Sequence, residues 1–389
     1  MTETVANTIE ATAALKAKGD EAVAESAKGD AATGDAAAKS TTNENSTETA
    51  ADTGAAPASS FAPKGCRKPN FEKDVVYLYQ FSRTPTIASV SPFCLKVETW
   101  LRLAGLKYEN VDHKMKYKSK KGQLPFVELN GEEIADSSFI IKELGQRFEK
   151  NLDAPLDSNQ KNISHATISM IENHLLWVVN WWKFKHTDNM IKGYKLNLQS
   201  FLGTRIPNSI LNFLFKFKYS RSGLRKLKAH GIGVHTAEEI EEFGKSDLRV
   251  LSDMLGDKPY FFGDEPTELD VVAFSNLAQI YFVDKEVEYS LRDYLIENFS
   301  NLVGHVNRMK ERCYSDWDDI CRTLDLNAHI PKPLSEEKEV KGKDEEKKAE
   351  KEGDTILDDK EKIEKEKDLE KEVDENKDKE KEKEKDNAK

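Results

Sequence analysis

The sequence predicts an α/β sheet domain followed by an all-α bundle, with a segment of low complexity at each end. Strand and helix patterns alternate from about residue 71 to 150, whereas apolar residues recur at helical spacing from about 155 to 328. Residues 1–70 are rich in Ala, Thr, Glu and Ser, and residues 335–389 are a Lys/Glu/Asp run. Neither end carries enough apolar surface to offset chain entropy, so we expect both ends to be disordered.

The first strand and helix are predicted by local composition. Residues 75–81 are rich in β-branched and aromatic side chains, which is typical of a buried strand. A loop over residues 82–90 follows. A helix then begins at Ser91, with Pro92 in the first turn, where its missing N–H costs nothing. Gly105 ends the helix.

Three more strands and a second helix complete the sheet domain. Strands are predicted over residues 106–111, 124–129 and 132–135, the last two joined by an Asn-Gly turn. A helix over residues 138–148 closes the unit. This βαβ-then-ββα order is typical of a thioredoxin-like fold, and we expect a mixed sheet with helices on both faces.

The second half is predicted to be a helical bundle packed on the sheet domain. The longest apolar periodicities predict helices over residues 165–185, 236–255 and 269–282. Thr267 and Asp270 form a capping-box sequence in front of the very apolar third helix. That pair is a folding signal rather than a catalytic one.

Composition excludes several classes of protein. The net charge of −11 comes largely from the two ends and does not indicate a nucleic-acid partner. The four cysteines are too few and too scattered for a disulfide framework or a metal site. The N-terminus lacks the apolar core of a signal peptide, and no apolar run approaches the roughly 20 residues that span a bilayer. We therefore expect a reduced, cytoplasmic protein.

The start of the first helix is the most informative motif. Ser91-Pro92-Phe93-Cys94 places a hydroxyl where a Cys-x-x-Cys protein carries its nucleophilic thiolate. Serine cannot perform disulfide exchange, but Ser91 can donate a hydrogen bond to the thiolate of a bound ligand and lower the pKa of that thiol. The alternative is a plain N-cap serine. Cys94, one turn into the helix, is interpreted as a small buried residue.

Two further motifs supply the other walls of a small site. Leu124-Pro125 before a buried strand predicts a cis peptide, which leaves the Leu124 backbone free to pair with an extended ligand. At the next helix start, Asp136 can pair with an ammonium group while Ser137 takes a carboxylate. The alternative for Asp136 and Ser137 is an ordinary helix cap.

Together these motifs resemble a glutathione transferase over roughly residues 73–325, and the run from Pro92 to Trp100 resembles the metaxin-like branch of that superfamily. The resemblance implies that glutathione is a ligand or co-substrate and that Ser91 is the thiol-activating residue; no other cofactor and no metal are expected. The implied glutathione-binding residues are Ser91, Leu124, Pro125, Asp136 and Ser137. For the glycyl carboxylate of glutathione, His113, Lys114 and Lys116 are the candidates.

The resemblance also implies a neuronal, axonal protein of the cytoplasm that acts in axon development. Two functions stay open. One is a non-catalytic or weakly catalytic transferase-like protein that works through protein partners, with a homodimer as a further expectation. The other is an active transferase that conjugates glutathione to electrophiles.

An insertion at about residues 193–233 separates the first long helices of the bundle. It carries apolar residues flanked by a cationic cluster, a pattern that suits an anionic membrane surface or the groove of a partner. The candidate contact residues are Phe213, Phe215, Phe217, Arg221, Arg225, Lys226 and Lys228. The alternative is a helical hairpin packed onto its own domain.

Overall fold

Four short strands form a mixed sheet in the computed structural model, which describes residues 66–331. Their bounds are β1 (Val76–Tyr79), β2 (Tyr108–Asn110), β3 (Phe126–Leu129) and β4 (Glu132–Ala135), in the order β2-β1-β3-β4. β1 is parallel to β2 and antiparallel to β3, which is antiparallel to β4. All four predicted strands are confirmed, and with them the thioredoxin-like sheet.

Two helices complete the sheet domain, α1 (Pro92–Leu103) and α2 (Ser137–Arg147). Ser91 is the N-cap of α1, as the sequence predicts, and Gly105 adopts a φ of +66° just beyond its end. The Tyr108 hydroxyl on β2 bonds to Glu98 of α1, so α1 lies on the Tyr108 face of the sheet. α2 packs against α1 and the β3–β4 hairpin.

The expectation of helices on both faces of the sheet is wrong. Residues 111–125, all of them described, contain no helix, because their lysine-rich sequence lacks an apolar stripe at helical spacing. The second face is covered instead by Arg67, whose guanidinium lies 4.5 Å from the ring centroid of Phe126. On the same face Glu128 accepts hydrogen bonds from the Arg67 backbone N–H (3.0 Å) and the Tyr79 hydroxyl (2.9 Å).

The second half is helical, as predicted, but it contains more helices than the sequence indicates. The helix predicted over residues 165–185 starts earlier, and a π-helical turn (Ile171–Leu175) divides it. The predicted disordered segments, 1–70 and 335–389, lie outside the described residues apart from 66–70. The helices are α3 (Ser158–Met170), α4 (Leu176–Lys185), α5 (Thr187–Gly193), α6 (Leu198–Leu202), α7 (Asn208–His230), α8 (Ala237–Leu255), α9 (Glu268–Tyr281), α10 (Ser290–Asn298), α11 (Ser300–Cys313) and α12 (Trp317–Thr323).

The buried helix α9 is the centre of the bundle and packs directly on α1. Its predicted capping box is confirmed, since the Thr267 N–H donates to Asp270 Oδ2 at 2.8 Å. The other carboxylate oxygen of Asp270 accepts from the Phe261 N–H (3.0 Å) and lies 2.9 Å from His305 Nε2. Asp270 therefore fixes the entry of α9 and its contact with α11.

The insertion folds mainly into α7, which packs against α4. Its buried side recurs every four residues, and a Cβ built at Gly223 would lie 2.1 Å from the Phe184 ring, so only glycine permits this approach. Packing of the insertion on its own domain is thus confirmed. The interpretation of Phe215 as a membrane or partner contact is wrong, because Phe215 is 1% exposed and stacks on Tyr219 in the core.

A buried ion pair lies inside the sheet domain, and its arginine also bonds to the chain that follows the last helix of the bundle. Arg83, in the loop after β1, binds Glu98 of α1 through both guanidinium nitrogens, each 2.6 Å from a carboxylate oxygen, with neither side chain exposed. Burial alone would raise the pKa of Glu98, but the Arg83 charge holds it well below its usual range. Arg83 also donates to the Leu326 carbonyl at 2.8 Å.

We expect Glu98→Gln to lower the free energy of unfolding by about 3–5 kcal/mol, because it leaves the Arg83 charge buried without a counter-ion. Glu72→Gln is a matched control, since Glu72 and Lys107 also lie 2.6 Å apart but are exposed. Solvent screens such a pair, so its loss is expected to change stability little. Urea unfolding of both variants checks the prediction. Equal losses would contradict it.

Candidate functional site

The sheet register brings two of the predicted site motifs together. Phe126 pairs with Tyr79 on one side and with Ala135 on the other. The Leu124-Pro125 turn, which immediately precedes Phe126, therefore lies beside Asp136, which immediately follows Ala135. The chain leaves the sheet toward Ser91 at the same end. The Leu124–Pro125 peptide is cis, so that prediction is confirmed.

Ser91 caps α1 from a buried position. Its Oγ accepts a hydrogen bond from the Cys94 N–H at 3.4 Å, and its own N–H donates to the Ser89 Oγ at 3.3 Å. The side chain is 1% exposed. Burial raises the pKa of the Cys94 thiol to about 11, which agrees with its interpretation as an inert small residue. The plain N-cap role of Ser91 is present, whereas its action on a ligand thiol stays a prediction.

Two polar residues of the bundle hold the loop in front of Ser91, and sequence reasoning missed both. Lys183 of α4 donates to the Val90 carbonyl (3.1 Å) and to Gln279 Oε1 (2.9 Å). Gln279 of α9 donates in turn to the Ser89 carbonyl at 3.1 Å. Burial lowers the pKa of Lys183 to about 7. The available signal was a long polar side chain within a mainly apolar stretch of each helix.

At the start of α2, Asp136 combines a cap with a strained backbone. Its Oδ1 accepts from the Ser138 N–H (3.1 Å) and the Phe139 N–H (3.4 Å). Its φ of +85° with ψ of 127° lies where glycine alone is comfortable, and such strain is concentrated at functional sites. Ser137, the first residue of α2, is buried. Binding of an amino-acid group by Asp136 and Ser137 stays a prediction.

A buried lysine connects α1 and α2 beside these residues. Lys96 Nζ donates to Ser138 Oγ and to Glu172 Oε1, both at 2.8 Å. Glu172 lies in the π-helical turn before α4. The charge of Lys96 is therefore paired with Glu172 inside the protein. Sequence reasoning did not single out Lys96.

Three residues were candidates for binding the glycyl carboxylate of glutathione, and the prediction for His113 is wrong. Its Nε2 lies 3.0 Å from the Gln80 carbonyl, and its Nδ1 accepts from the Tyr117 N–H at 3.4 Å. Burial lowers the pKa of His113 to about 4, so the ring is neutral near pH 7. Lys114 forms an ion pair with Asp112 at 3.2 Å. Lys116 is exposed.

The candidates on α7 do not belong to this site. Phe213, Phe217, Arg221, Arg225 and Lys228 are exposed on α7, a helix that packs chiefly on α4. Lys226 is half-buried, on the side of the helix that carries Leu227. In the part of the chain that the structure describes, no cluster of His, Cys, Asp and Glu is arranged to hold a metal ion. In the same part, no helix combines the length and the hydrophobicity that crossing a bilayer requires.

Comparison with known proteins identifies the family. A profile of the glutathione S-transferase N-terminal domain matches residues 92–189, and a profile of the C-terminal domain matches residues 244–309. The chain is 64% identical over 303 residues to Failed axon connections of Drosophila melanogaster, an alignment that covers 77% of this chain and 72% of that protein. The chain belongs to the Failed axon connections family.

More distant relatives agree with the metaxin-like and transferase-like resemblance. Mouse Metaxin-2 is 26% identical over 242 residues, 62% of this chain and 89% of that protein. The isoprene-epoxide–glutathione S-transferase of Rhodococcus sp. is 25% identical over 251 residues, 61% of this chain and 99% of that protein. This member of the Failed axon connections family is therefore a metaxin-like protein with the glutathione transferase fold.

We expect His113→Gln to flatten the dependence of stability on pH. The pKa of His113 is about 4 in the folded chain against an ordinary 6.5, so the unfolded chain alone binds this proton between those values. Wild-type stability then falls as the pH drops through that window, by about 2 kcal/mol between about pH 7 and about pH 5. Gln retains a donor for the Gln80 carbonyl.

Urea unfolding at the two pH values measures the change, with His235→Gln as the control because His235 is exposed. The control is expected to keep the wild-type slope. A wild-type slope in His113→Gln would mean that folding leaves the pKa of His113 at its ordinary value, and it would contradict the prediction.

Proposed function

We propose that this chain is a non-catalytic or weakly catalytic glutathione-transferase-like protein that acts in axon development through protein partners. The burial of Ser91 carries the proposal. A hydroxyl that activates a thiol must reach the ligand sulfur at hydrogen-bond distance. With Ser91 1% exposed, that contact requires the residues around Ser91 to move.

The surroundings of Ser91 resist such a movement. The loop before it is fixed by the contacts of Lys183 with Val90 and of Gln279 with Ser89. The polar groups at the start of α2 are also engaged, since Asp136 caps the helix and Ser138 binds Lys96. These internal contacts are more consistent with a structural role for the site than with an open ligand-binding cleft.

The role in axons rests on the name of the Drosophila relative, which is 64% identical. From that likeness we infer a neuronal, axonal protein of the cytoplasm, peripheral to membranes. Its partners are proteins of axonal signalling, and a homodimer of the transferase type is part of the proposal. Nucleic acid is not among the proposed partners.

An active transferase is the second candidate function. The sheet register, which places the Leu124-Pro125 turn beside Asp136, and the Rhodococcus relative, which is named for an epoxide-conjugating reaction, favour it. In that function Ser91 activates the thiol of glutathione, while Leu124, Pro125, Asp136 and Ser137 hold the tripeptide. Glutathione is then a co-substrate, and the electrophile is an epoxide or a comparably small reactive molecule.

Two assays on the full-length chain distinguish these functions. We expect titration calorimetry with glutathione to give weak or no binding heat, and conjugation of 1-chloro-2,4-dinitrobenzene to stay near the uncatalysed rate in the wild type and in Ser91→Ala. Loss of the cap lowers stability by about 1 kcal/mol, so assays are run well below the melting temperature of the variant.

The matched control is Ser290→Ala, a serine at the start of α10 whose hydroxyl donates to Glu241 rather than to any group of the candidate site. Conjugation by the wild type that falls about a hundredfold in Ser91→Ala, with Ser290→Ala unaffected, would assign stabilisation of the glutathione thiolate to the Ser91 hydroxyl and reject the non-catalytic proposal.

A further inference from the structure

The long helix α7 carries two apolar faces, and only one of them packs against the rest of the described domain. The packed face contains Leu211, Phe215, Tyr219, Gly223 and Leu227. At 3.6 residues per turn, the opposite side of the helix presents a second series, which we name the exposed stripe. The exposed stripe consists of Ile210, Phe213, Phe217, Arg221, Leu224 and Lys228.

The apolar members of the exposed stripe are unusually accessible for large side chains. Phe213 is 72% exposed, Phe217 is 64% exposed and Ile210 is 51% exposed. A surface helix needs one apolar face to bind its own domain, and α7 already has one. A second contiguous apolar face therefore marks an interaction surface.

Charge identifies the chemistry of the partner. Between Asn189 and Ala237 the sequence holds nine Lys and Arg residues and no Asp or Glu, within a chain of net charge −11. Arg221, Arg225 and Lys228 are exposed, and none of them forms an ion pair with another of the described residues 66–331. This segment of an acidic protein is complementary to an anionic surface.

The shape of the exposed stripe favours a flat partner. Its residues lie on a single helix of 23 residues, about 35 Å long. Two phenylalanines one turn apart can enter the boundary between headgroups and acyl chains, while cations at the following turns meet the headgroups. A groove on a folded protein would instead contact a helix on several sides, and it would bury more of the helix surface than the exposed stripe.

The position of α7 in the chain is consistent with an added function. The transferase profiles match residues 92–189 and 244–309 and leave the whole of α7 between them. The helix is thus outside the segments that define the fold. Like the other described helices, it does not combine the length and the hydrophobicity that crossing a bilayer requires.

We propose that the exposed stripe of α7 docks this protein on an anionic lipid bilayer, with Phe213 and Phe217 as apolar anchors and Arg221, Arg225 and Lys228 as headgroup contacts. The proposal is independent of whether glutathione binds at Ser91. The helix keeps its packing on α4 while it binds, because the docking face and the packed face are opposite.

Flotation of the full-length chain with vesicles tests the proposal. We expect binding to phosphatidylcholine vesicles that contain about one third phosphatidylserine, and little binding to pure phosphatidylcholine. Raising the salt from about 0.15 M to about 0.5 M is expected to release most of the protein, because it screens exposed charges.

Two variants separate the apolar and the cationic contributions. We expect Phe213→Ser with Phe217→Ser to weaken binding at least about tenfold. We expect a comparable loss when Arg221, Arg225 and Lys228 are all changed to Gln. Both sets are exposed, so the melting temperature is expected to stay near the wild-type value, and circular dichroism verifies it.

Matched controls remove similar residues from other exposed positions. Ile163→Ser with Val250→Ser removes two exposed apolar side chains, and Lys142, Lys161 and Lys285 changed to Gln removes three exposed charges. Wild-type binding is expected for both controls. Equal binding by all variants, or equal binding to neutral vesicles, would overturn the proposal.

Sedimentation velocity addresses the competing occupant. A concentration-dependent dimer in the wild type that disappears in the Phe213→Ser, Phe217→Ser variant would assign the exposed stripe to a second copy of the chain and overturn bilayer docking. A monomer or an unchanged dimer, together with selective flotation, supports the proposal.

Discussion

The buried ion pair between Arg83 and Glu98 is the constraint on which the arrangement of the sheet domain depends. The Glu98 carboxylate accepts hydrogen bonds from Arg83 in the loop after β1, from Tyr108 on β2 and from Gln80, which directly follows β1. Arg83 extends the connection to the Leu326 carbonyl, far along the chain. Because an unpaired buried charge is very unfavourable, a displacement of any one of these segments would destabilise the contacts of the others.

This constraint explains the long loop in front of Ser91. Arg83 fixes the beginning of the loop, and Lys183 fixes its end by donating to the Val90 carbonyl. The nine residues from 82 to 90 carry both anchors, one held by α1 and the other by the bundle. The loop is therefore held near both of its ends, and it leads into a Ser91 side chain that is itself buried.

The features that the sequence predicted correctly depend on residues close together in the chain. The Ser91 cap, the cis Leu124–Pro125 peptide and the Thr267–Asp270 capping box are each encoded within about four positions. The contacts that close the site join residues about 90 or more positions apart, as Lys183 to Val90 and Gln279 to Ser89, and no local pattern specifies them.

The insertion shows a different limit of prediction. Its sequence has apolar residues on two sides of one helix, and periodicity alone does not say which side packs. Gly223 determines which side of α7 packs on the domain, because only the face that carries Gly223 allows the Phe184 ring to approach. Phe215 and Phe217 are two residues apart and have opposite environments for this reason.

The two surfaces of the protein thus differ in how their polar and apolar groups are used. In the candidate site, the hydrogen-bonding groups of Ser91, Asp136 and Lys96 are engaged in internal contacts. On α7 the phenylalanines and cations of the exposed stripe have no described partner within the fold. Internal satisfaction favours a rigid scaffold, since each buried bond would have to break before a ligand entered. Unused apolar surface favours association, since water is released when that surface is covered. The internal contacts around Ser91 therefore account for stability, whereas the proposed recognition depends on the exposed stripe of α7.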